Sequence, residues 1–304
     1  MPKHPEFPHF KNISLQDRDT ITAFLKAYQP ETSELTFTNL FMWQAYARTR
    51  WSVYRDWLCM LCRDKAGRLY AMPPIGPPSR RPVSRMILEW LGEEKRQQRP
   101  CIQRADKRLA QELGGAEDFL VEPKREHFDY IYRVDNLSSL SGRKYHGKKN
   151  HVNKFREMHS FTYAPLDQEL IRACLELENQ WCRDHHCCED MSLMGEWEAI
   201  RNSLLSFRDL RFEGGAIQID GKVEAFTFGE LLNADTAVVH VEKANPAIQG
   251  LYAVINQQFC ENSLDTVSYV NREQDLGQPG LRQAKQSYHP SHLVEKFTIR
   301  CKHQ

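Results

Sequence analysis

Hydrophobic residues follow two different periods after residue 165. Helical spacing runs through "DQELIRACLELENQWCRDH" (167–185) and "EWEAIRNSLLSF" (196–207), which predicts two amphipathic helices. The period then changes to two, which is the pattern of a strand with one buried face. This alternation predicts an antiparallel meander in which Gly221 and Lys222 form the first tight turn. The predicted strands are "FEGGAIQID", "VEAFTFGELL" and "TAVVHVEKA".

Helices and strands alternate in the residues that follow. A helix predicted after Pro246 separates "TAVVHVEKA" from the next strand, "TVSYVNREQD" (266–275). Because a helix of this length is the usual crossover between parallel strands, we expect these two strands to pair in parallel. A further helix, "GLRQAKQSY", and a closing strand, "HLVEKFTIR", complete the pattern.

The first half of the chain repeats this order with weaker signals. The predicted elements are helices near 14–28 and over "FTNLFMWQAYA", a hairpin from "WSVYRDWLCMLC" to "RLYAMPP", a helix over "RPVSRMILEWLGEEKRQQ", a strand around "CIQRA", a helix around "DKRLAQEL" and a strand over "FDYIYRV". We therefore predict an α/β fold class with mixed (α+β) sheets in two tandem domains. The predicted domains are 1–140 and 165–304, joined by a basic helical connector at 141–164.

The composition is that of a soluble globular protein, since 41% of the 304 residues are hydrophobic and 27% are charged. No run of eighteen apolar residues exists, so we expect no integral membrane association. The first residues, "MPKHPEFPHFKN", lack the apolar core of a signal peptide. Nine cysteines without a secretory signal are typical of reduced thiols, and we therefore predict a cytoplasmic protein.

Neither cysteine cluster has the spacing of a metal site. Cys59 and Cys62 lie three positions apart in a predicted strand, where they face opposite sides. Cys182, His185 and His186 could share a helix face, but no second ligand pair lies at a matching spacing. We therefore predict core packing here, with no metal and no tightly bound cofactor.

The charges balance over the chain, with 41 basic and 40 acidic residues, but one stretch is strongly basic. "SGRKYHGKKNHVNKFR" (141–156) contains six Lys and Arg residues and no carboxylate. The inward stripe of the helix predicted here consists of Tyr145, Val152, Phe155 and Met158. Lys148 and Lys149 fall on the side of that stripe, whereas lysines that serve only solubility would face away from it. We interpret Lys144, Lys148, Lys149 and Lys154 as phosphate-binding residues; a solvated helix face is the alternative.

Polar residues crowd the carboxyl end of the predicted strand 266–275. On a strand, Glu273 and Asp275 point to one face, and Arg272 and Gln274 point to the other. Burying such groups without a function is costly, and ligands of open sheets bind beyond these strand ends. We therefore predict a functional site here; a solvated strand end beside an ordinary amphipathic helix is the alternative.

Three separated motifs resemble one known family. They are "FTNLFMW" near the start, "KYHGKKNHVNKF" midway, and "NREQDLGQPGLRQAKQSYHP" followed by "EKF". In this order they resemble the C-terminal, cytoplasmic domain family of phosphatidylglycerol lysyltransferases, including its stand-alone bacterial members. The resemblance implies two tandem GNAT-like acyltransferase domains, an architecture that Fem-type peptidoglycan aminoacyltransferases share.

The resemblance also implies an activity, the transfer of an aminoacyl group from aminoacyl-tRNA to an amine or hydroxyl acceptor. The expected partners are a tRNA donor and a small-molecule or peptide acceptor. A lipid acceptor is not expected, because the sequence shows none of the membrane-embedded portion that full lipid lysyltransferases carry. The alternatives are a CoA-dependent N-acyltransferase that acts on a small amine, and a non-catalytic binding module on a GNAT fold.

The turn after "TAVVHVEKA" bears on the choice of donor. CoA-dependent GNAT proteins bind the pyrophosphate at a glycine-rich turn that opens a helix. Here "EKANPAIQGLYA" supplies one glycine, Gly250, and places the bulky Tyr252 where a second small residue is expected. The turn therefore favours aminoacyl-tRNA over acyl-CoA as the co-substrate, although Gly250 remains a candidate phosphate-binding residue.

We place the chemistry in the C-terminal domain, where the two parallel strands part and offer backbone N–H groups to the acyl carbonyl oxygen. Glu273 or Asp275 is the candidate base that deprotonates the acceptor. Tyr288 is the candidate acid that protonates the leaving oxygen or sulfur. The candidate substrate-binding residues are Asn271, Arg272, Gln274, Arg282, Lys285, Lys296, Glu242 and Lys243.

Overall fold

Two compact units make up the described part of the chain. The computed structural model describes residues 4–115 and 117–302. The first unit consists of the residues up to Asp129, Gln274–Gly277 and the residues from Val294 onward, and the second consists of Tyr130–Glu273 and Gln278–Leu293. Each unit is built on one seven-stranded mixed sheet.

Strands and helices alternate along most of the described residues. The strands are β1 (Lys11–Asn12), β2 (Arg50–Tyr54), β3 (Trp57–Arg63), β4 (Leu69–Ala71), β5 (Ile102–Ala105), β6 (Phe119–Pro123), β7 (Asp129–Arg133), β8 (Phe161–Pro165), β9 (Glu213–Ile219), β10 (Lys222–Leu231), β11 (Thr236–Ala244), β12 (Tyr269–Asn271), β13 (His292–Val294) and β14 (Phe297–Cys301). The helices are α1 (Arg18–Tyr28), α2 (Phe37–Met42), α3 (Gln44–Ala47), α4 (Arg81–Glu93), α5 (Lys107–Gly114), α6 (Val134–Ser139), α7 (His146–Met158), α8 (Gln168–Asp184), α9 (Met191–Leu205), α10 (Phe207–Leu210), α11 (Leu251–Ser263) and α12 (Pro279–Gln286). Across residues 4–115 and 117–302, none of these helices has both the length and the apolar character needed to cross a bilayer.

The first unit has the strand order β1-β2-β3-β4-β5-β14-β6. β4 and β5 are parallel, and the other neighbours are antiparallel. Helices α4 and α5 bury their apolar stripes against this sheet, in a cluster that includes Ile87, Leu91, Leu109 and Ile299. The C-terminal strand β14 thus supplies part of the core that surrounds the earlier strands.

One predicted strand of the first unit forms two. The segment 51–62 turns back at Arg55 and Asp56, which separate β2 from β3, and Arg55 has a positive φ of 52°. Cys59 and Cys62 both lie in β3 and both are buried, which confirms their interpretation as core residues.

The second unit has the strand order β13-β7-β12-β11-β10-β9-β8. Strands β9, β10 and β11 form the predicted antiparallel meander, and β11 pairs in parallel with β12, as predicted. The β9–β10 turn consists of Asp220 and Gly221, one residue earlier than predicted, with φ angles of 52° and 77°. Positive φ at both positions matches the right-handed twist of the flanking strands, and glycine adopts it without steric cost.

Helix α7 carries the basic stretch and packs against α11 in the second unit. Tyr145, Val152 and Phe155 are buried in one cluster with Leu251, which confirms three positions of the predicted inward stripe. Met158, the fourth position, is 51% exposed, because the helix ends at this residue.

Strands β7 and β14 belong to sheets other than those expected from their positions in the chain. The closing strand predicted over 292–300 divides into β13, in the second sheet, and β14, in the first. Strand β7, predicted within the first domain, pairs with β12 in the second sheet. The compact units therefore do not coincide with the predicted boundaries at residues 140 and 165. Apolar alternation identifies a strand, but the pairing partner depends on long-range contacts that the local pattern does not contain.

A β-bulge interrupts the pairing of β10 with β11. The register shifts after Phe228, and His240 is the extra residue on β11. A Cβ atom on Gly229 would lie 2.1 Å from the carbonyl oxygen of Val238. Because real Cβ atoms do not approach an oxygen so closely, the two strands can meet here only at a glycine.

We expect Gly229→Ala to lower the free energy of unfolding by about 1–3 kcal/mol, because the backbone must move to accommodate the methyl group. Gly280→Ala in α12 is the matched control, since a Cβ atom there would meet nothing within 4 Å. Urea unfolding of both variants measures the difference. Equal stabilities would show that the bulge tolerates a side chain.

Candidate active site

Strands β11 and β12 separate at the carboxyl end of their parallel pair. Pairing covers Thr236–Val238 and Tyr269–Asn271, and β11 then continues to Ala244, past the last paired residue. Ligands of open sheets bind beyond strand ends of this kind. The predicted separation of the two strands is present, and Arg272 is the first residue after it.

A mostly buried ion pair lies at this separation. Nη2 of Arg272 donates to Oε1 of Glu242 at 2.9 Å, and Nδ2 of Asn256 donates to Oε2 of Glu242 at 3.1 Å. The guanidinium lies 4.7 Å from the ring centroid of Tyr288 and 5.6 Å from that of Tyr132. Burial disfavours the charge of Arg272, but Glu242 outweighs burial and raises the pKa of the guanidinium above its ordinary value. The Arg272 side chain in the second unit therefore stays protonated.

One nitrogen of this guanidinium has no acceptor in the described part of the chain. Nη1 of Arg272 is buried and makes no hydrogen bond within the described residues, although such a donor costs roughly 1–3 kcal/mol. The ammonium of Lys148 lies 4.1 Å from the ring centroid of Tyr288, and burial together with Arg272 lowers the pKa of Lys148. The two cations form an electropositive group that suits a carbonyl or phosphate oxygen.

Tyr288 and Lys285 reach the same place from the end of α12. Burial raises the pKa of Tyr288 to about 12, against the effect of Arg272, so the phenol keeps its proton at neutral pH. A general acid needs that state. The ammonium of Lys285 donates to the carbonyl oxygen of Arg272, and Tyr132 donates its hydroxyl to the carbonyl oxygen of Lys285 at 2.8 Å. Lys285 thus positions Arg272, while Arg282 lies half-buried on the same helix.

Glu273, a predicted base, is paired with a buried histidine. Oε1 of Glu273 lies 3.1 Å from Nδ1 of His240, and Oε1 of Glu230 lies 3.1 Å from Nε2. Burial lowers the pKa of His240, but the two carboxylates outweigh burial and raise it to about 9. His240 is therefore an imidazolium at neutral pH that donates to both carboxylates. Asn271 is buried, and its Oδ1 accepts the backbone N–H of Glu273 at 2.8 Å, so it shapes the turn after β12.

Lys296 and Gln274, two predicted substrate-binding residues, belong to the first unit, where Lys296 is fully buried. The acceptors around its Nζ are Glu34 Oε2 at 2.6 Å, Asp129 Oδ1 at 2.7 Å, Gln274 Oε1 at 3.1 Å and Ser33 Oγ at 3.2 Å. Burial raises the pKa of Glu34, but Lys296 and Arg104 outweigh burial and lower it. Four acceptors exceed the three N–H groups of an ammonium, so Lys296 stabilises its unit and leaves no donor for a substrate.

Asp275, the other predicted base, also belongs to the first unit. Its side chain is buried and forms an ion pair with Arg125 at 3.2 Å. Its Oδ1 accepts the backbone N–H of Gly277 at 2.9 Å. The predicted polar cluster 271–275 is therefore divided: residues 271–273 belong to the second unit, and the next two to the first.

The predicted phosphate ligands on and before α7 differ in exposure. Lys144, Lys149 and Lys154 are exposed, whereas Lys148 is half-buried at the Tyr288 ring. Lys149 does not share the inward side with Lys148, because successive helical residues are rotated by about 100°.

Gly250 lies where α7 covers the first turn of α11. It precedes α11 with a φ of 88°, and a Cβ atom there would lie 2.7 Å from the carbonyl oxygen of His151. The glycine therefore allows the close approach of α7.

A cluster on the opposite face of β11 was missed by sequence reasoning, except for Lys243. The ammonium of Lys243 lies 2.9 Å from Glu196, 3.8 Å from Glu178 and 3.5 Å from the ring centroid of Trp181. Glu178 occupies a core position of α8, one turn after the buried Cys174. A carboxylate in the apolar stripe of an amphipathic helix is the signal that could have identified this cluster.

The core packing predicted for Cys182, His185 and His186 near the end of α8 is wrong, because both histidines are exposed and Cys182 is only half-buried. The ring of His185 stacks on Trp181, with centroids 4.0 Å apart, and Cys187 is buried. No three His, Cys, Asp or Glu side chains in the part of the chain that the structure describes are arranged to hold a metal ion.

Comparison with known proteins identifies relatives of this chain. The family described as phosphatidylglycerol lysyltransferase, C-terminal, matches residues 25–300, which confirms the resemblance of the three motifs. A conserved protein of unknown function from Bacteroides thetaiotaomicron VPI-5482 has a solved structure with 36% identity and a TM-score of 0.89, covering 96% of this chain and 99% of that protein. An uncharacterised protein of Mycoplasmoides gallisepticum is 22% identical over 185 residues. The matched region covers 57% of this chain and 56% of the length of that curated relative.

Two solved structures share the fold at low sequence identity. L-PGS from Bacillus licheniformis is 14% identical with a TM-score of 0.64, covering 95% of this chain and 93% of that one. FemX is 11% identical with a TM-score of 0.50, covering 95% and 96%. The predicted fold class, mixed α/β structure in two tandem GNAT-like domains, is confirmed.

We expect Lys296→Met to lower the free energy of unfolding by about 3–5 kcal/mol, because it leaves buried carboxylates without their cation. Lys107→Met is the matched control, since the Lys107 side chain is 62% exposed and its contact with Glu295 spans 3.7 Å. Urea unfolding at pH 7 measures both variants. A loss below 1 kcal/mol for Lys296→Met would contradict the structural role of this lysine.

The paired His240 predicts a specific pH dependence. Its pKa of about 9 in the folded state exceeds the value of 6.5 expected when unfolded. The stability that it contributes is therefore complete below about pH 6.5 and is lost as the pH rises through about 9, by up to roughly 3 kcal/mol. His240→Gln should lack this loss between pH 6 and 9.5, and the exposed His146→Gln should retain it. If the free energy of unfolding changed equally with pH for His240→Gln and the parent over that range, the imidazolium assignment would be contradicted.

Proposed function

Because the chain belongs to the phosphatidylglycerol lysyltransferase C-terminal family, we propose that it moves an aminoacyl group from aminoacyl-tRNA to an amine or hydroxyl acceptor. The catalytic centre lies where β11 and β12 separate, and Arg272, Lys148 and Tyr288 line it. The acceptor is a small molecule or a peptide, and the reaction needs no tightly bound cofactor.

The packing of α7 on the first turn of α11 supports the choice of donor. A CoA-dependent enzyme of this fold needs the free N–H groups of that turn for the pyrophosphate. Here the carbonyl oxygen of His151 and the Cβ atom of Phe155 lie 2.7 and 3.3 Å from where a Cβ of Gly250 would be. Because a carbonyl oxygen repels phosphate, this contact favours a donor that binds elsewhere.

The exposed lysines beside the site are the proposed contact with the tRNA backbone. Lys144, Lys149 and Lys154 are exposed, and each phosphate that they neutralise releases counterions into solution. Lys148, on the same helix as Lys149 and Lys154, faces the Tyr288 ring. A basic surface that leads to a buried cation suits a large polyanion whose reactive end enters a cleft.

The acceptor loses a proton and its nitrogen or oxygen bonds to the acyl carbon, while the ester C–O bond breaks and the ribose oxygen takes up a proton. Nη1 of Arg272, which is buried and makes no hydrogen bond to a described residue, donates to the carbonyl oxygen as negative charge develops there. Tyr288 protonates the leaving oxygen, and Glu273, whose Oε1 is hydrogen-bonded to Nδ1 of His240, takes the proton of a hydroxyl acceptor.

A salt series tests the tRNA assignment. The triple variant Lys144→Ala, Lys149→Ala, Lys154→Ala should bind aminoacyl-tRNA more weakly and flatten the salt dependence by about two to three units, one for each lost phosphate contact. Its melting temperature should stay unchanged, because exposed lysines contribute little to stability. The control variant Lys65→Ala, Lys107→Ala, Lys302→Ala removes as many exposed charges from the first unit and should retain the parent slope.

The same proteins distinguish the alternative donors. Titration with CoA and acetyl-CoA should show no binding tighter than about millimolar, close to −4 kcal/mol. Micromolar CoA binding, with equal tRNA binding by both triple variants, would replace the proposed donor with acyl-CoA. Binding of neither donor would favour a non-catalytic module.

A further inference from the structure

The cluster around Lys243 contains more negative than positive charge. Lys243 lies on β11, Glu178 on α8 and Glu196 on α9, all within the second unit. The ammonium is 2.9 Å from Glu196 but 3.8 Å from Glu178, and it lies over the indole of Trp181 at 3.5 Å. Trp181 and Glu196 thus hold the Lys243 ammonium beyond hydrogen-bond distance of Glu178.

Glu178 has no hydrogen-bond donor in the described residues. Its side chain is 1% exposed, and both carboxylate oxygens are buried without a hydrogen bond. Burial raises its pKa to about 7, because Lys243 only partly offsets burial and Glu196 adds repulsion. A buried carboxylate without donors is costly and is unusual in a folded protein. Its surroundings therefore suit a ligand that brings N–H groups and a positive charge.

The cluster lies on the opposite face of β11 from the Arg272–Glu242 pair. Lys243 follows Glu242, the partner of Arg272, and adjacent strand residues point to opposite faces. Tyr252, 40% exposed in the first turn of α11, has its pKa raised by burial and also by Glu242, Glu178 and Glu196. The Tyr252 phenol therefore interacts electrostatically with Glu242 on one face of β11 and with Glu178 and Glu196 on the other. The Glu196 side chain is 38% exposed, so the cluster has an open edge.

We propose that Glu178 and Glu196 bind the primary α-ammonium group of the acyl acceptor, an amino acid derivative or a peptide N-terminus, and that Glu178 takes a proton from it. This inference rests on the proposed function only in assigning the amine as acceptor. One N–H proton moves to a carboxylate oxygen of Glu178, and the freed lone pair bonds to the acyl carbon as the ester C–O bond breaks. Tyr288 protonates the ribose oxygen and is reprotonated by the second N–H proton, and Glu178 returns its proton to solvent.

The acidity of the two groups favours an α-amino group over a lysine side chain. An α-ammonium has an ordinary pKa of roughly 7.7–8.0, close to that of Glu178, whereas a lysine ammonium has about 10.4. Proton transfer to Glu178 is therefore nearly balanced for the first and strongly uphill for the second.

Binding of L-alaninamide, which carries an α-ammonium and no carboxylate, tests the site without any donor. Isothermal titration at pH 7.5 should show binding to the parent protein, and Glu178→Gln should weaken it at least tenfold. Glu176→Gln, at an exposed position of the same helix, is the matched control and should bind like the parent. N-acetyl-L-alaninamide lacks the ammonium and should bind none of the three proteins.

The pH profile separates a binding role of Glu178 from a merely structural one. Affinity of the parent should rise as the pH increases through about 7, where Glu178 ionises, and should fall as the ligand loses its charge near 8. The groups that act on Glu178 are Lys243 on β11, Glu196 on α9, Tyr252 on α11 and Cys187 after α8. Glu178→Gln should lack the rise, since the other groups remain.

The outcomes are distinct for the two proposals. Absence of L-alaninamide binding to the parent at 10 mM, or equal binding by Glu178→Gln, overturns the ammonium site even if acyl transfer occurs to a hydroxyl. Glu178-dependent binding without any acyl transfer supports the site and contradicts the proposed function. If Glu178→Gln fails to fold, Glu196→Gln replaces it and should weaken binding at least threefold; unchanged affinity would overturn the proposal.

Discussion

The buried ammonium of Lys296 is the constraint on which the first unit depends. An ammonium removed from water costs several kcal/mol unless its charge and N–H groups are matched. Glu34, Asp129 and Gln274 match it, although they lie 262, 167 and 22 positions away along the chain. Asp129 is the last residue of the first unit before the chain enters the second, and Gln274 is the first after it returns. One charge therefore fixes the residues at which the chain leaves and re-enters the first unit.

Strand β11 has the corresponding role in the second unit. Its neighbouring residues Glu242 and Lys243 point to opposite faces, and each collects a different set of charged side chains. The bulge at His240, two residues earlier, lets an imidazolium contact Glu230 and Glu273. Bulges commonly re-aim side chains beside functional sites. The strand thus places both sets of charged side chains near the point at which β12 separates from it.

Periodicity alone predicted the parts of this fold whose contacts are local. The meander β9–β11, the crossover helix α11 and the parallel strand β12 follow from alternation and from helix length. The sheets to which β7 and β14 belong were not predictable in this way, because an apolar alternation does not specify the pairing partner of a strand. The site followed the same rule. Arg272 and Tyr288 were predicted together, since a strand end and the next helix face lie close in any such crossover.

Other site residues depend on partners that are distant in sequence. Lys296 and Asp275 have structural roles and not the predicted functional ones. Their ion-pair partners, Asp129 and Arg125, lie outside the sequence motif on which the prediction was based. The sequence places Glu178 in the apolar stripe of a seventeen-residue helix, but it does not show whether the carboxylate has a partner there. What distinguishes it is the absence of a donor among the described residues, and only three-dimensional structure shows this.

The place of β14 in the first sheet has a consequence for synthesis on the ribosome. β5 and β6 emerge early, but the strand that lies between them follows only after residues 124–296 have been translated. At about 5–20 residues per second, the facing edges of β5 and β6 wait roughly 10–35 s for their partner. Unpaired strand edges are templates for incorrect pairing, so this interval exposes the nascent chain to aggregation. The strands of the second unit, including β13, are all translated before β14, so the half of the protein made first is the half that finishes folding last.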